Sequence, residues 1–448
     1  MIGPIPSKQR VYLISLGCAK NLVDSENMLG ILKEKGFIVV SDLGAAEIAI
    51  INTCGFIQSS VEEALDTILE VAAEKKKGNL KKLFVVGCLV QRYGYKLQKE
   101  LPEVDGWIGT GEIHRIANVL DLERCGEKGL LIGRPSYLAD HKTPRLRAAP
   151  FHTAYLKIAE GCSHRCTYCT IRKLRGPFRS RKPGSLSIEA EGMTKAGVKE
   201  INLIAQDTTM YGRDLKPEVT LEDLLARLVK VGGIRWIRIL YGHPQGVSNR
   251  LLEMMEKEEV ICPYLDLPLQ HVNAKVLKAM GRGDEGPNPW ELIERIRSRK
   301  RPISLRTTLM LGFPGETEQA FRELYEFVKA AKFDHLGVFI FSPERGTPAA
   351  HLPNRVKRGK AEGRLDAIMR LQAEISEKNS RAMVGEAIPV LIEGVSDETD
   401  LLLRGRTATM APDVDGQVLI NKGVGRIGEI VRVRITEAHA YDLVGEIL

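Results

Sequence analysis

Three times near the amino terminus an apolar run ends on a cysteine. Val11–Gly17 leads to Cys18, Glu47–Thr53 to Cys54, and Lys82–Gly87 to Cys88. Helical stretches follow the first two, over Asn21–Lys35 and Ser60–Lys76. Short apolar strands alternating with helices can bury both faces only as a parallel sheet covered by those helices. In such a sheet all carboxyl ends lie along one edge, where ligands usually bind. The spacing therefore predicts that Cys18, Cys54 and Cys88, far apart in the chain, converge. A buried thiol beside a core strand is ordinary on its own. Three equivalent positions in consecutive units point instead to a metal site.

A stretch from Gly133 to Pro150 has no clear period and reads as a linker. A second alternating series follows it. Its strands are expected near 154–160, 200–206, 236–242, 264–270, 304–311 and 335–342, with helices between them such as Leu221–Val231 and Thr317–Ala331. Six strand–helix units make a partial parallel barrel or a strongly curved sheet. A long polar helix, about Lys357 to Ser380, closes the series. The final segment changes to short strands separated by turn residues, at 388–392, 401–403, 416–420 and 429–435. That spacing suggests a small antiparallel barrel of about five strands.

Just past the first strand of the second series comes Cys162-Ser-His-Arg-Cys166-Thr-Tyr-Cys169. A closed zinc site takes four ligands, and no fourth cysteine or suitably spaced histidine follows. Three thiolates suit a cubane [4Fe–4S] cluster with one iron left open for a small molecule. Tyr168 either stacks on an adenine there or is an ordinary packed aromatic. Cys125 and Cys262 lack comparable context and read as structural or incidental.

At 448 residues the chain is too long for one ordinary core. No apolar run approaches a membrane span, and no secretory signal is visible, so the cytoplasm is expected. There, thiols serve as ligands or reduced core residues more often than as disulfides. The net charge of +8 is unevenly spread. From Ala382 to Leu448 eleven acidic residues face six basic ones, a net −5, so the remainder carries +13. Such a tail repels RNA and attracts a basic partner, or is simply a solvated face.

Together these features resemble the radical S-adenosylmethionine (SAM) methylthiotransferases over nearly the whole chain. The resemblance rests on the Cys162/Cys166/Cys169 run combined with Cys18, Cys54 and Cys88. It implies an α/β protein in three parts. Residues 1–133 form an N-terminal parallel α/β domain with an auxiliary [4Fe–4S] cluster. After a 134–150 linker, residues 151–381 form a radical-SAM partial (β/α)6 barrel. Residues 382–448 form a small antiparallel β-barrel of the TRAM type, OB-like. The family joins a methylthio group to carbon using two SAM molecules and a sulfur donor. One SAM methylates sulfur at the auxiliary cluster; the other yields the 5′-deoxyadenosyl radical. An electron donor is also implied.

Two branches differ in substrate. The segments Ser15–Glu26, Leu174–Arg181, Gln206–Thr209 and Ala411–Gly416 are similar to the branch that modifies an aspartate β-carbon in the twelfth protein of the small ribosomal subunit. The acidic tail agrees with that basic partner and disfavours nucleic acid as substrate. The alternatives are a tRNA adenosine methylthiotransferase and a non-enzymatic iron–sulfur RNA-binding adaptor. For SAM itself, Gln206 and Asp207 resemble the motif that binds the amino group. Arg306 either faces the barrel to pair with the carboxylate or points outward. Gly312 opens a turn similar to the adenine-proximal loop, admitting a ligand close to backbone. That turn also reads as an ordinary strand-to-helix connection capped by Thr317. Arg175, Arg179, Arg181 and Lys182 form a basic run that engages an acidic group, another domain or solvent. His243 and His271 are either catalytic or structural. No residue is assigned to the chemistry on the substrate.

Overall fold

The computed structural model describes residues 9–122, 129–148, 150–283 and 287–448; Cys125 lies outside them. The chain divides into two compact units. The first takes residues up to 148 together with 159–164 and 169–186; the second takes the rest, including the whole C-terminal barrel. Residues 134–148 of the expected linker thus belong to the first unit.

The first unit is built on a parallel sheet of β1 (Arg10–Ser15), β2 (Ile38–Val39), β3 (Ile48–Thr53), β4 (Lys82–Gly87), β5 (Gly106–Gly109) and β6 (Gly129–Leu131), in the order β2-β1-β3-β4-β5-β6. Central strand β3 is buried along its whole length, as an apolar run covered on both faces must be. Ile48, Ile50, Phe84 and Val86 pack into one core, and Ala49, Ile51, Leu83 and Val85 into the other. Register pairs Ser15 with Asn52 and Thr53 with Gly87, so the three cysteine-bearing ends are nearly level. Helices Ala19–Glu34, Gln58–Lys77 and Cys88–Glu100 follow them.

The second unit carries six parallel strands: β7 (Thr153–Lys157), β8 (Glu200–Ile204), β9 (Trp236–Ile239), β10 (Ile261–Asp266), β11 (Ser304–Leu311) and β12 (His335–Ile340). Their spatial order is β12-β11-β10-β9-β8-β7. The fourth begins at Ile261, not near 264, and ends at Asp266. Pro263 cannot donate to a ladder, and it sits where the pairing with β9 shifts register. Along these strands one face is apolar (Ala154, Leu156, Ile201, Leu203, Ile237). The other is polar (Tyr155, Asn202, Arg238, Tyr264, Arg306), with Tyr155, Asn202 and Arg238 side by side.

Strands β13 (Ala387–Val395), β14 (Leu403–Thr407), β15 (Val418–Lys422), β16 (Ile430–Ala438) and β17 (Leu443–Ile447) close into a barrel. All its pairs are antiparallel except β15 with β17. Among the described residues no helix is long and apolar enough to cross a membrane.

Candidate functional site

The three thiols of the first unit are drawn together by Asn21, which is almost fully buried. Its Nδ2 donates to the Leu16 carbonyl at 3.0 Å and the Thr53 carbonyl at 3.1 Å, tying the loops that lead to Cys18 and Cys54. Its Oδ1 lies 4.0 Å from the Cys88 Sγ. Thr53 Oγ1 donates to the Val86 carbonyl at 2.6 Å and so aligns the third loop. The approach is close: a Cβ on Gly17, whose φ is +88°, would lie 2.8 Å from the Cys54 Cβ. Only glycine fits there.

Arg175 is the cation of this site. Its Nη1 reaches Asp24 Oδ2 at 2.7 Å and Glu160 Oε2 at 3.2 Å, and its Nη2 donates to Asn21 Oδ1. Its guanidinium is buried, and the negative charge of Cys88, Glu160, Asp24 and Cys18 keeps it protonated against that desolvation. Burial pushes the Cys88 thiol up to about 11, partly offset by Arg175. Desolvation also opposes ionisation of Cys18. Even so, its thiol lies below the ordinary value, because Lys20 and Arg175 favour the thiolate and two backbone N–H groups point at it. Three thiols around a buried cation form a donor set that suits an anionic iron–sulfur group. Helix Ala19–Glu34 buries Asn21, Asp24, Ser25 and Glu26 for this purpose. Glu26 in turn holds Arg145 at 2.6 Å.

The Cys162–Cys169 loop is fixed locally at each thiol. The Cys162 N–H donates to the Gly176 carbonyl at 3.0 Å, and the Ile171 N–H points at Cys169 Sγ at 3.5 Å. Around Cys166, the Thr167 N–H and Oγ1 donate to the carbonyls of Met280 and Ala279 at 2.9 and 2.8 Å. Arg282 Nη1 lies 3.8 Å from Cys166 Sγ and 3.4 Å from the Tyr168 hydroxyl. Donors aimed at sulfur are what a cluster-bearing thiolate needs, and they raise a cluster's potential. Nothing in the local sequence around Arg282 marks it.

The residues expected to meet SAM follow the carboxyl ends of the second unit's strands, except Arg306. Tyr168 packs edge-on to Phe313 at 6.4 Å between ring centroids, beside Phe341. Gln206 and Asp207 follow β8. Asp207 is buried, and its Oδ1 accepts from the Thr209 N–H at 2.9 Å and hydroxyl at 2.6 Å. Gly312 has φ +72°, and a Cβ there would meet the Ala361 Cβ at 2.9 Å, so helix Arg358–Arg381 already demands glycine. Its N–H donates to Glu316 at 2.7 Å, and Thr317 caps the following helix. His271 Nδ1 accepts from two backbone N–H groups, which puts the proton on Nε2. Burial and the charge of Arg364 hold it down at about 4, so it is neutral at pH 7. His243 Nδ1 accepts from the Gln245 N–H and caps a turn.

Arg306, whose expected partner is the SAM carboxylate, is found on Asp415. Its Nη1 lies 2.6 Å from Asp415 Oδ1 and 3.2 Å from the Val414 carbonyl. It belongs to a wider contact between the sheet's polar face and the C-terminal barrel. Arg406 of β14 reaches Glu200 at 2.6 Å, and Arg238 reaches the same carboxylate at 2.9 Å. Burial would raise the Glu200 carboxyl, but these two cations bring it down from the ordinary 4.5 to about 2. A carboxylate depressed by folding contributes its stability above the unfolded value and loses it as pH falls through the folded one. The stability gap between the protein and Glu200→Gln should therefore be widest above pH 4.5 and close toward pH 2, as read by urea unfolding across that range.

Residues 10–109 match the profile described as "Uncharacterized protein family UPF0004". Residues 156–328 match the radical SAM superfamily and 384–448 the TRAM domain. A protein of Syntrophotalea carbinolica named ribosomal protein uS12 methylthiotransferase RimO is 48% identical over 98% of this chain and 97% of its own length. The protein of that name from Geobacter sulfurreducens is 46% identical over 99% of both chains. Among solved structures, the radical S-adenosylmethionine methyltransferase TsrM of Kitasatospora setae, with tryptophan and a SAM analogue bound, shares the fold. Its TM-score is 0.55 at 12% identity, over 74% of this chain and 73% of that one.

Proposed function

The chain belongs to the RimO family of methylthiotransferases, and on that premise we propose that it modifies the β-carbon of an aspartate in ribosomal protein uS12, consuming two SAM molecules. The observation that carries this reading is the meeting of Cys18, Cys54 and Cys88 around Arg175 and Asn21. A radical enzyme that only cleaves SAM needs no second set of three thiols.

Cys162, Cys166 and Cys169 would hold the [4Fe–4S] cluster, which supplies the electron that reductively cleaves SAM. Cys18, Cys54 and Cys88 would hold a second one, which supplies a place for the sulfur to be methylated. The chain's own residues do the rest. Asn21 keeps three loops in register, and Arg175 neutralises negative charge where water is excluded. Arg282 does the same beside Cys166. Gln206 and Asp207 would meet the amino end of SAM, and Tyr168 and Gly312 would border its adenine.

The partner is a basic ribosomal protein, met through the exterior of the C-terminal barrel. Glu386, Asp397, Glu398, Asp400, Glu429 and Glu437 are exposed there. The inward-facing Asp415 and Glu393 are spent on Arg306 and Arg406, so the outer excess of negative charge rests on the others. An electron donor and a sulfur source complete the system.

The test is anaerobic incubation of the iron-loaded protein with a uS12 peptide, reductant, sulfide and SAM bearing a trideuterated methyl group. The peptide should gain a methylthio group carrying the label, with 5′-deoxyadenosine formed alongside. A methylthio product without the label, or labelled product formed without 5′-deoxyadenosine, would refute the two-SAM scheme.

A further inference from the structure

The motif Ala411–Gly416 has no role in the chemistry above, yet five strands of the second unit bond to the loop that contains it. On β7, the Tyr155 hydroxyl donates to Asp413 at 2.9 Å. On β9, Arg238 donates to the Ala408 carbonyl at 2.7 Å. On β10, the Tyr264 hydroxyl donates to Asp415 at 2.7 Å. On β11 Arg306 pairs with Asp415, and on β12 His335 Nε2 contacts the Thr409 carbonyl at 2.9 Å. Asp415 is fully shielded from solvent and also accepts from the Ala411 N–H at 2.8 Å, which closes the loop on itself.

These contacts run across the middle of the polar face, from Tyr155 to His335. The proposed SAM residues lie past the carboxyl ends of the same strands. At the level of these contacts sits Asn202, fully buried, with neither Nδ2 nor Oδ1 hydrogen-bonded. A buried amide left unpaired costs free energy unless a ligand or water completes it. It lies in register between Tyr155 and Arg238, both of which bond to the loop.

The geometry points to a second job for the C-terminal barrel: the loop of residues 408–417 is the floor of the radical chamber, and Asp415 is a positioning residue for the substrate peptide. This rests on the reading that the radical forms at the carboxyl ends of these strands. The floor fixes how deep the peptide enters, and the unpaired Asn202 amide receives a polar group of it. A target carbon held within reach gives its hydrogen atom to the 5′-deoxyadenosyl radical, making 5′-deoxyadenosine. A carbon held too far away leaves the radical to take hydrogen from another donor. Either way one electron from the reductant and one SAM are consumed, and methionine is released. Loss of the floor therefore uncouples SAM cleavage from product.

The experiment uses the full-length iron-loaded protein and a uS12 peptide deuterated at the aspartate β-carbon. The readout is the fraction of 5′-deoxyadenosine that carries deuterium. In Asp415→Asn that fraction should fall about tenfold, the scale of a misplacement of an ångström or less. Total SAM cleavage and iron content should stay near those of the parent. Tyr264→Phe removes one donor to Asp415 without touching a charge, and should lower the fraction in the same direction. It decides the matter if Asp415→Asn does not fold. An unchanged deuterium fraction in the folded variants, or a change confined to the peptide KM, overturns the inference. Deuterium absent from 5′-deoxyadenosine in the parent protein would instead sink the proposed function.

Discussion

Alanine at Cys18, Cys54 or Cys88 is expected to abolish methylthio product while SAM is still cleaved. Each of these thiols is one of only three donors, so losing one leaves two, too few to hold a cubane firmly. Iron should fall by about four atoms per chain, one cluster's worth. The Cys162–Cys169 loop keeps its own N–H donors, from Ile171 to Cys169 and from Arg282 to Cys166, so 5′-deoxyadenosine should still form. Cys166→Ala should instead end SAM cleavage and product together. Iron analysis, 5′-deoxyadenosine and peptide mass read the three quantities separately. Product from a Cys18→Ala protein would remove the auxiliary site from the account.

Arg175→Met should be the most destabilising single change in the first unit. Asp24 is as buried as Arg175, and Glu160 nearly so. Removing the shared cation takes the nearest positive charge from two buried carboxylates, a loss of about 3–5 kcal/mol. A typical domain has only about 5–15 kcal/mol in hand. Arg175→Lys keeps the charge but not the planar fork that reaches Asp24, Glu160 and Asn21 together, so its loss should be smaller. Urea unfolding of the iron-free proteins measures both. In iron-loaded Arg175→Lys, the altered donor geometry should shift the potential of one cluster only, as followed by electron paramagnetic resonance. A methionine variant as stable as the parent would mean that the buried charges are compensated elsewhere.

The period of the apolar runs was enough to read both parallel sheets, because strands buried on two faces admit few polar residues. The convergence of three loops followed from parallel topology alone. What stayed hidden was the work of buried charge. The strand expected at Leu401–Leu403 is found at Leu403–Thr407 and runs through Arg406. Its guanidinium points inward because Glu200, also buried, is there to meet it. Arg175 falls in a basic run of several possible uses, and its partners Asp24 and Glu160 are 151 and 15 residues away. No local pattern encodes such distances. Arg306 reads as a partner for the SAM carboxylate or as an outward-pointing side chain and is found on Asp415, since nothing in a strand's period says what will cover its polar face.

This methylthiotransferase should act on protein, not RNA. The most direct test places a uS12 peptide and a premodified tRNA anticodon stem-loop together with the iron-loaded protein, SAM, reductant and sulfide. Mass spectrometry then follows both substrates. A methylthio gain on the peptide aspartate, with the RNA unchanged, is the predicted result. A gain on the RNA with the peptide unchanged would contradict it.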